Sequence, residues 1–156
     1  MTTLDTLITY LNQYGWAFDR ADDTTLATGF RGQDNEFRVF INLAETWVVL
    51  AIVPFTPPPL PVARLRFARL AMRLSYEMSL AKLALDPEGD VALLVELPAA
   101  GLSYDQFALG LDTLTFWADK YYRQMLNLAR DPQAGLEGIS DTWGNPAREQ
   151  PSDPIA

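Results

Sequence analysis

The sequence predicts an α+β protein, an antiparallel sheet with helices on one face, in the order α-β-β-β-β-α-β-β-α. Three observations predict it. Short stretches of alternating apolar residues, joined by turn residues, fill the region from 16 to 53. Two further apolar stretches flank a hairpin loop at Asp86-Pro87-Glu88-Gly89-Asp90. Three segments carry helical spacing with start or stop signals. Short connections favour antiparallel pairing, and helices set apart from the strands mark the α+β class.

The elements follow in order. Leu4, Leu7, Ile8 and Leu11 make one apolar stripe on a short helix, with Thr2 or Thr3 as cap and Gly15 at the left-handed C-terminal position. Trp16–Asp19 reads as a short strand and Ala21–Thr24 as a turn. Thr25–Phe30 alternates, with Leu26, Thr28 and Phe30 on one side. After the turn Arg31–Asn35, Glu36–Leu43 alternates with Phe37, Val39 and Ile41 inward. Thr46–Val53 is apolar on both faces, as a central strand is. Pro54–Pro61 excludes an inner strand and predicts an extended connector, with Pro61 at the first turn of a helix over Val62–Tyr76. Ser79–Leu85 and Val91–Leu97 form the hairpin strands. Ser103 with Gln106 is a capping box opening a helix to about Ala129. Its seam is Phe107, Leu111, Leu114, Ala118, Tyr121, Met125 and Leu128. Asp131-Pro132 stops it. Residues 1–130 are expected to form a single domain and 131–156 a Pro/Gly-rich tail.

Composition narrows function. The chain has no cysteine and no histidine, which removes thiolate chemistry, disulfides, cysteine-bound zinc and the proton carrier best suited to neutral pH. Its net charge of −8 would be repelled by a phosphate backbone or an anionic membrane surface and suits basic or apolar protein partners. No apolar run has the length of a membrane span, and the N-terminal residues carry no secretory pattern, so a cytoplasmic protein is expected. No nucleophile elbow, phosphate loop or dinucleotide fingerprint is present. No catalytic residue, metal ligand or cofactor site is therefore assigned.

Leu85-Asp86-Pro87-Glu88-Gly89-Asp90-Val91-Ala92-Leu93, then Glu96-Leu97-Pro98, then Ser103 opening a long helix, resembles the YbjN-like proteins, bacterial sensory transduction regulators that share a fold with the type III secretion chaperones. The resemblance runs from residue 1 to about 130; the proline connector and the tail lie outside it. It implies a homodimer that binds a partner chain, or a regulator. It implies no catalytic residues.

Several constellations allow a functional and a plain reading. Arg66, Arg69 and Arg73 share a helix face near Arg64. They suit an acidic partner segment, or form a wet face paired with carboxylates such as Glu77. Trp117 and Tyr122, with Leu109, lie off the seam of the last helix and are candidates for an interface. Asp86, Glu88 and Asp90 lack calcium-loop spacing and read as a turn, as do Asp22 and Asp23. Pro58-Pro59-Leu60-Pro61 has P-x-x-P spacing but is explained as a connector. In the tail, Leu136, Ile139 and Trp143 are spaced by three and four, and can dock in a groove or loosely cover apolar surface.

The expectation is a non-catalytic protein-binding module, chaperone-like or regulatory, acting as a homodimer. Arg66, Arg69, Arg73, Trp117, Tyr121 and Tyr122 are its expected partner-binding residues. The alternatives are a sensory domain for a small effector, favoured by an apolar pocket, and an enzyme using carboxylates alone.

Overall fold

The same local chemistry starts both long-range helices. Thr3 Oγ1 accepts from the Thr6 amide at 3.2 Å and opens α1, Leu4–Tyr14. Ser103 Oγ accepts from the Gln106 amide at 3.2 Å, while Gln106 Oε1 accepts from the Ser103 amide at 2.9 Å, and together they open α3, Tyr104–Arg130. Gly15, at φ 91°, closes α1 in the left-handed conformation that costs glycine little. These elements belong to a computed structural model that describes residues 1–131 and 133. The expectations for Leu136, Ile139 and Trp143 lie outside the described residues.

Between α1 and α3 run β1 (Asp19–Arg20), β2 (Thr25–Arg31), β3 (Glu36–Ala44) and β4 (Trp47–Ile52). A 3-10 turn at Pro61–Ala63 leads into α2 (Arg64–Glu77), followed by β5 (Ala81–Leu85) and β6 (Val91–Pro98). The strands form one antiparallel sheet in the order β1-β2-β3-β4-β6-β5. The element order is the one the sequence predicts.

Register separates the two faces of the sheet. Leu26, Ile41, Leu50, Val95 and Ala81 lie in one cross-strand row and all are buried. They meet the apolar sides of all three helices in one hydrophobic core. The next row, Ala27, Phe40, Ala51, Leu94 and Lys82, points the other way. Every residue of the α3 seam is buried. Gly110 lets α3 approach closely, since a Cβ there would meet Leu50 and Leu97 side chains at 2.9 Å. From α1, the Tyr10 hydroxyl donates to the Leu102 carbonyl at 2.9 Å and the Tyr14 hydroxyl to Asp112 Oδ1 at 2.5 Å.

Two boundaries differ from expectation. The first strand is Asp19–Arg20, not Trp16–Asp19, because Trp16 turns inward to stack on Phe30 and to meet the edge of Tyr14. The strand after α2 begins at Ala81, not Ser79. The Trp117 indole donates to the Ser79 carbonyl at 3.2 Å and Leu80 takes a φ of 64°, so the chain bends before it can pair. The acidic loops are turns. Asp86 Oδ1 accepts from the amides of Glu88 and Asp90, and Asp22 Oδ1 from Thr24, whose amide holds the Asp22 carboxyl below its ordinary pKa.

Candidate functional site

α2 has more apolar residues than the core can take. Phe67, Leu70 and Leu74 are buried on its inner side. With successive residues about 100° apart, Val62 at the turn before it, Leu65, Ala68, Met72 and Tyr76 fall on the opposite side. Their large members are 75, 72, 62 and 86% exposed at Val62, Leu65, Met72 and Tyr76. None of these five residues is charged, and Ala68 at the centre is small and exposed.

Beside this apolar lane runs the arginine lane, Arg66, Arg69 and Arg73. It faces α3. Arg73 Nη1 pairs with Glu77 Oε1 at 2.8 Å, and Glu77 Oε2 accepts from the Tyr121 hydroxyl of α3 at 2.8 Å. Burial, then the bond to Glu77, pushes the Tyr121 pKa up to about 12. Trp117 stacks on Tyr121 with centroids 5.5 Å apart. Lys120 Nζ sits over the rings of Phe116, Trp117 and Tyr121 at 5.7, 5.2 and 5.3 Å. The structure thus links Arg73, through Glu77, to Tyr121 and Trp117 at the cleft where α2 meets α3, and helical spacing puts Arg66 and Arg69 on the Arg73 side of α2. Trp117 is half-buried and Tyr121 is its buried floor. Tyr122 lies on another side of α3, against Phe37 and Phe55 at 5.1 and 5.8 Å.

The apolar lane was not read from the sequence, nor was Phe116, which is 56% exposed. The signal for the lane was present. Positions 62, 65, 69, 72 and 76 step by three and four, out of phase with the buried set 63, 67, 70 and 74. Arg69 interrupts the first set, so the face read as a basic one.

The outer sheet face is the second apolar surface. Phe40, Val49, Ala51 and Leu94 are half-buried there beside exposed Trp47, and Arg38 lies over Phe40 at 5.0 Å. A shallow open recess of about 310 Å³ near β1 is lined by small residues with Phe18, Asp19 and Arg38. It is not the apolar pocket a small-effector reading calls for. Among the described residues, no cluster of three or more acidic side chains could hold a metal ion, and no helix is long and apolar enough to cross a membrane.

A family model described as a putative bacterial sensory transduction regulator, YbjN, matches residues 3–127. The chain belongs to the YbjN family. Its fold is type III secretion chaperone-like. YbjN of E. coli, solved as a putative transcription regulator, is similar at 20% identity and TM-score 0.60, over 79% of this chain and 93% of that one. The ExsC-ExsE complex contains a chain similar at 15% identity and TM-score 0.57, over 81% and 98%. So does the ExoU-SpcU heterodimer of the type III secretion system of Pseudomonas aeruginosa, at 17% and 0.54, over 77% and 94%. Among curated proteins, none matches.

Proposed function

We propose that this YbjN-family chain is a cytoplasmic, non-catalytic protein-binding module that acts as a homodimer, with residues 1–130 as its folded unit and 131–156 as an appended segment. The observation that carries it is the exposed apolar lane on the outer side of α2. Val62 to Tyr76 spans about 21 Å, long enough for a helix-to-helix contact. A second copy of the same lane, related by a two-fold axis, would bury Leu65 and Met72 against their counterparts, with Arg69 at the border of the contact, and Ala68 would let the helices approach. The cleft beside it, with Arg66, Arg69 and Arg73 on one wall and Trp117 on Tyr121 at the other, suits an acidic segment carrying apolar or aromatic residues. Similar folds solved as the complexes ExsC-ExsE and ExoU-SpcU support a role in holding another protein.

The test separates the two surfaces. Capture from native lysate is compared for the wild type, for Leu65→Glu with Met72→Glu, and for Arg69→Glu with Arg73→Glu. A stoichiometric partner retained by the wild type and lost with the arginines supports the cleft. A partner held equally by all three sinks it.

A further inference from the structure

We propose that this chain's own segment 134–156 docks in cis along the arginine lane between α2 and α3, as an internal ligand that a partner must displace. This rests on reading the cleft as a site for acidic, apolar segments and does not rest on the dimer.

Three observations converge. The first is where the segment starts. The Leu60 amide donates to the Ala129 carbonyl at 2.9 Å, so the end of α3 is tied to the residue that leads into α2. The segment therefore departs beside the N-terminal end of the cleft. From Leu60 to Arg73 is thirteen residues, about 20 Å at helical rise. From Asp131 to Trp143 is twelve residues, which reach up to about 40 Å when extended. Trp143 can lie anywhere along the lane.

The second is charge. Residues 131–156 hold five acids, Asp131, Glu137, Asp141, Glu149 and Asp153, against Arg148 alone. α2 holds four arginines, Arg64, Arg66, Arg69 and Arg73, against Glu77 alone. Within a chain of net charge −8, the most basic helix borders the point from which an acidic segment leaves. The third is side-chain type. Leu136, Ile139 and Trp143 are spaced by three and four, with Glu137 and Asp141 interleaved. That alternation of apolar and acidic groups matches a cleft with guanidinium groups on one wall and a Trp117–Tyr121 stack at the other. The open sheet face offers the segment apolar area, but its nearest cations are only Arg38 and Lys82, and Glu96 lies beside Lys82 at 2.8 Å.

The chain has no cysteine, so Asn145→Cys gives a unique site for a nitroxide on the full-length protein. Its effect on backbone amide signals is then mapped by NMR. The expected result is broadening several-fold stronger over 64–77 and 116–124 than over the rest of the sheet and helices. It should vanish in Arg66→Glu, Arg69→Glu, Arg73→Glu combined, with core amide positions unchanged, and weaken at ~1 M salt, where the Debye length falls to ~3 Å. Even broadening across the surface, broadening centred on Phe40 and Leu94, or a pattern indifferent to the arginines overturns the proposal. So does broadening that appears only when a nitroxide-bearing chain is mixed with an isotope-labelled one, since the segment then docks on another copy. The function and this inference fail separately. Docking without arginine-dependent capture of a partner removes the former, and such capture without broadening removes the latter.

Discussion

α2 and α3 are both amphipathic helices built on steps of three and four, yet they end in different states. α3 runs 27 residues, and all seven seam residues are buried against the sheet and the other helices. α2 runs 14 residues, buries Phe67, Leu70 and Leu74, and turns a second apolar set outward. The seam residues of α3 are what folding requires. Those on the outer side of α2 are beyond that requirement, because the inner set already closes the core. A large exposed apolar set on one helix face is uncommon for a protein that works alone. Substitutions should therefore separate the two helices, with α3 governing stability and the outer lane of α2 governing association.

The largest effect should fall on α3. Phe107→Ala removes a fully buried ring from the middle of the core and is expected to cost about 3 to 5 kcal/mol, read by urea unfolding. An equal loss from Met72→Ala would erase the distinction between the helices. Gly110→Ala tests how tightly α3 meets the sheet. The added methyl would press on Leu50 and Leu97, with an expected loss of about 1 to 3 kcal/mol, unless those side chains yield.

The contact between the two helices should respond to alkali. Tyr121 has a folded pKa of about 12 against the ordinary 10, so its neutral form is the one that folding favours. Its contribution is fully present below pH 10 and is lost as pH rises towards 12. Tyr121→Phe should lower stability at pH 7 by about 1 to 2 kcal/mol through the lost bond to Glu77. It should also remove the part of the alkaline decline due to this residue. A stability curve that Tyr121→Phe leaves unchanged from pH 7 to about 12 would mean that the bond contributes nothing.

The smallest effect on folding should come from the outer lane. Leu65→Glu with Met72→Glu should leave monomer stability within about 0.5 kcal/mol per site, because both side chains face solvent in the single chain.

This contrast also marks how far the sequence could be read. Alternation located β2 and β3, because each buries one side of a strand against helices, while β4 was legible as a run apolar on both faces and β6 as the apolar stretch after the hairpin loop. The seam of α3 was legible because it is long and uninterrupted. The capping box at Ser103 and the turn at Asp86 were legible because their side chains bond to backbone only a few residues away. β1 and the start of β5 were misplaced, because Trp16 stacking on Phe30 and Trp117 reaching Ser79 are contacts between distant residues. The cleft was half legible. The arginines share a face by spacing alone, but their meeting with Trp117 and Tyr121 depends on how α2 lies against α3. Tyr122 is one residue from Tyr121 and faces Phe37, a separation of about 100° that only the packing of α3 gives meaning.

The central claim is that the outer lane of α2 pairs with a second copy, and the most direct measurement is light scattering on the eluting protein across a range of concentrations. The expected result is twice the chain mass of 17.4 kDa for the wild type and the single-chain mass for Leu65→Glu with Met72→Glu, both forms remaining folded. A wild type that elutes at 17.4 kDa at every concentration, or a variant that stays at twice that mass, would contradict it.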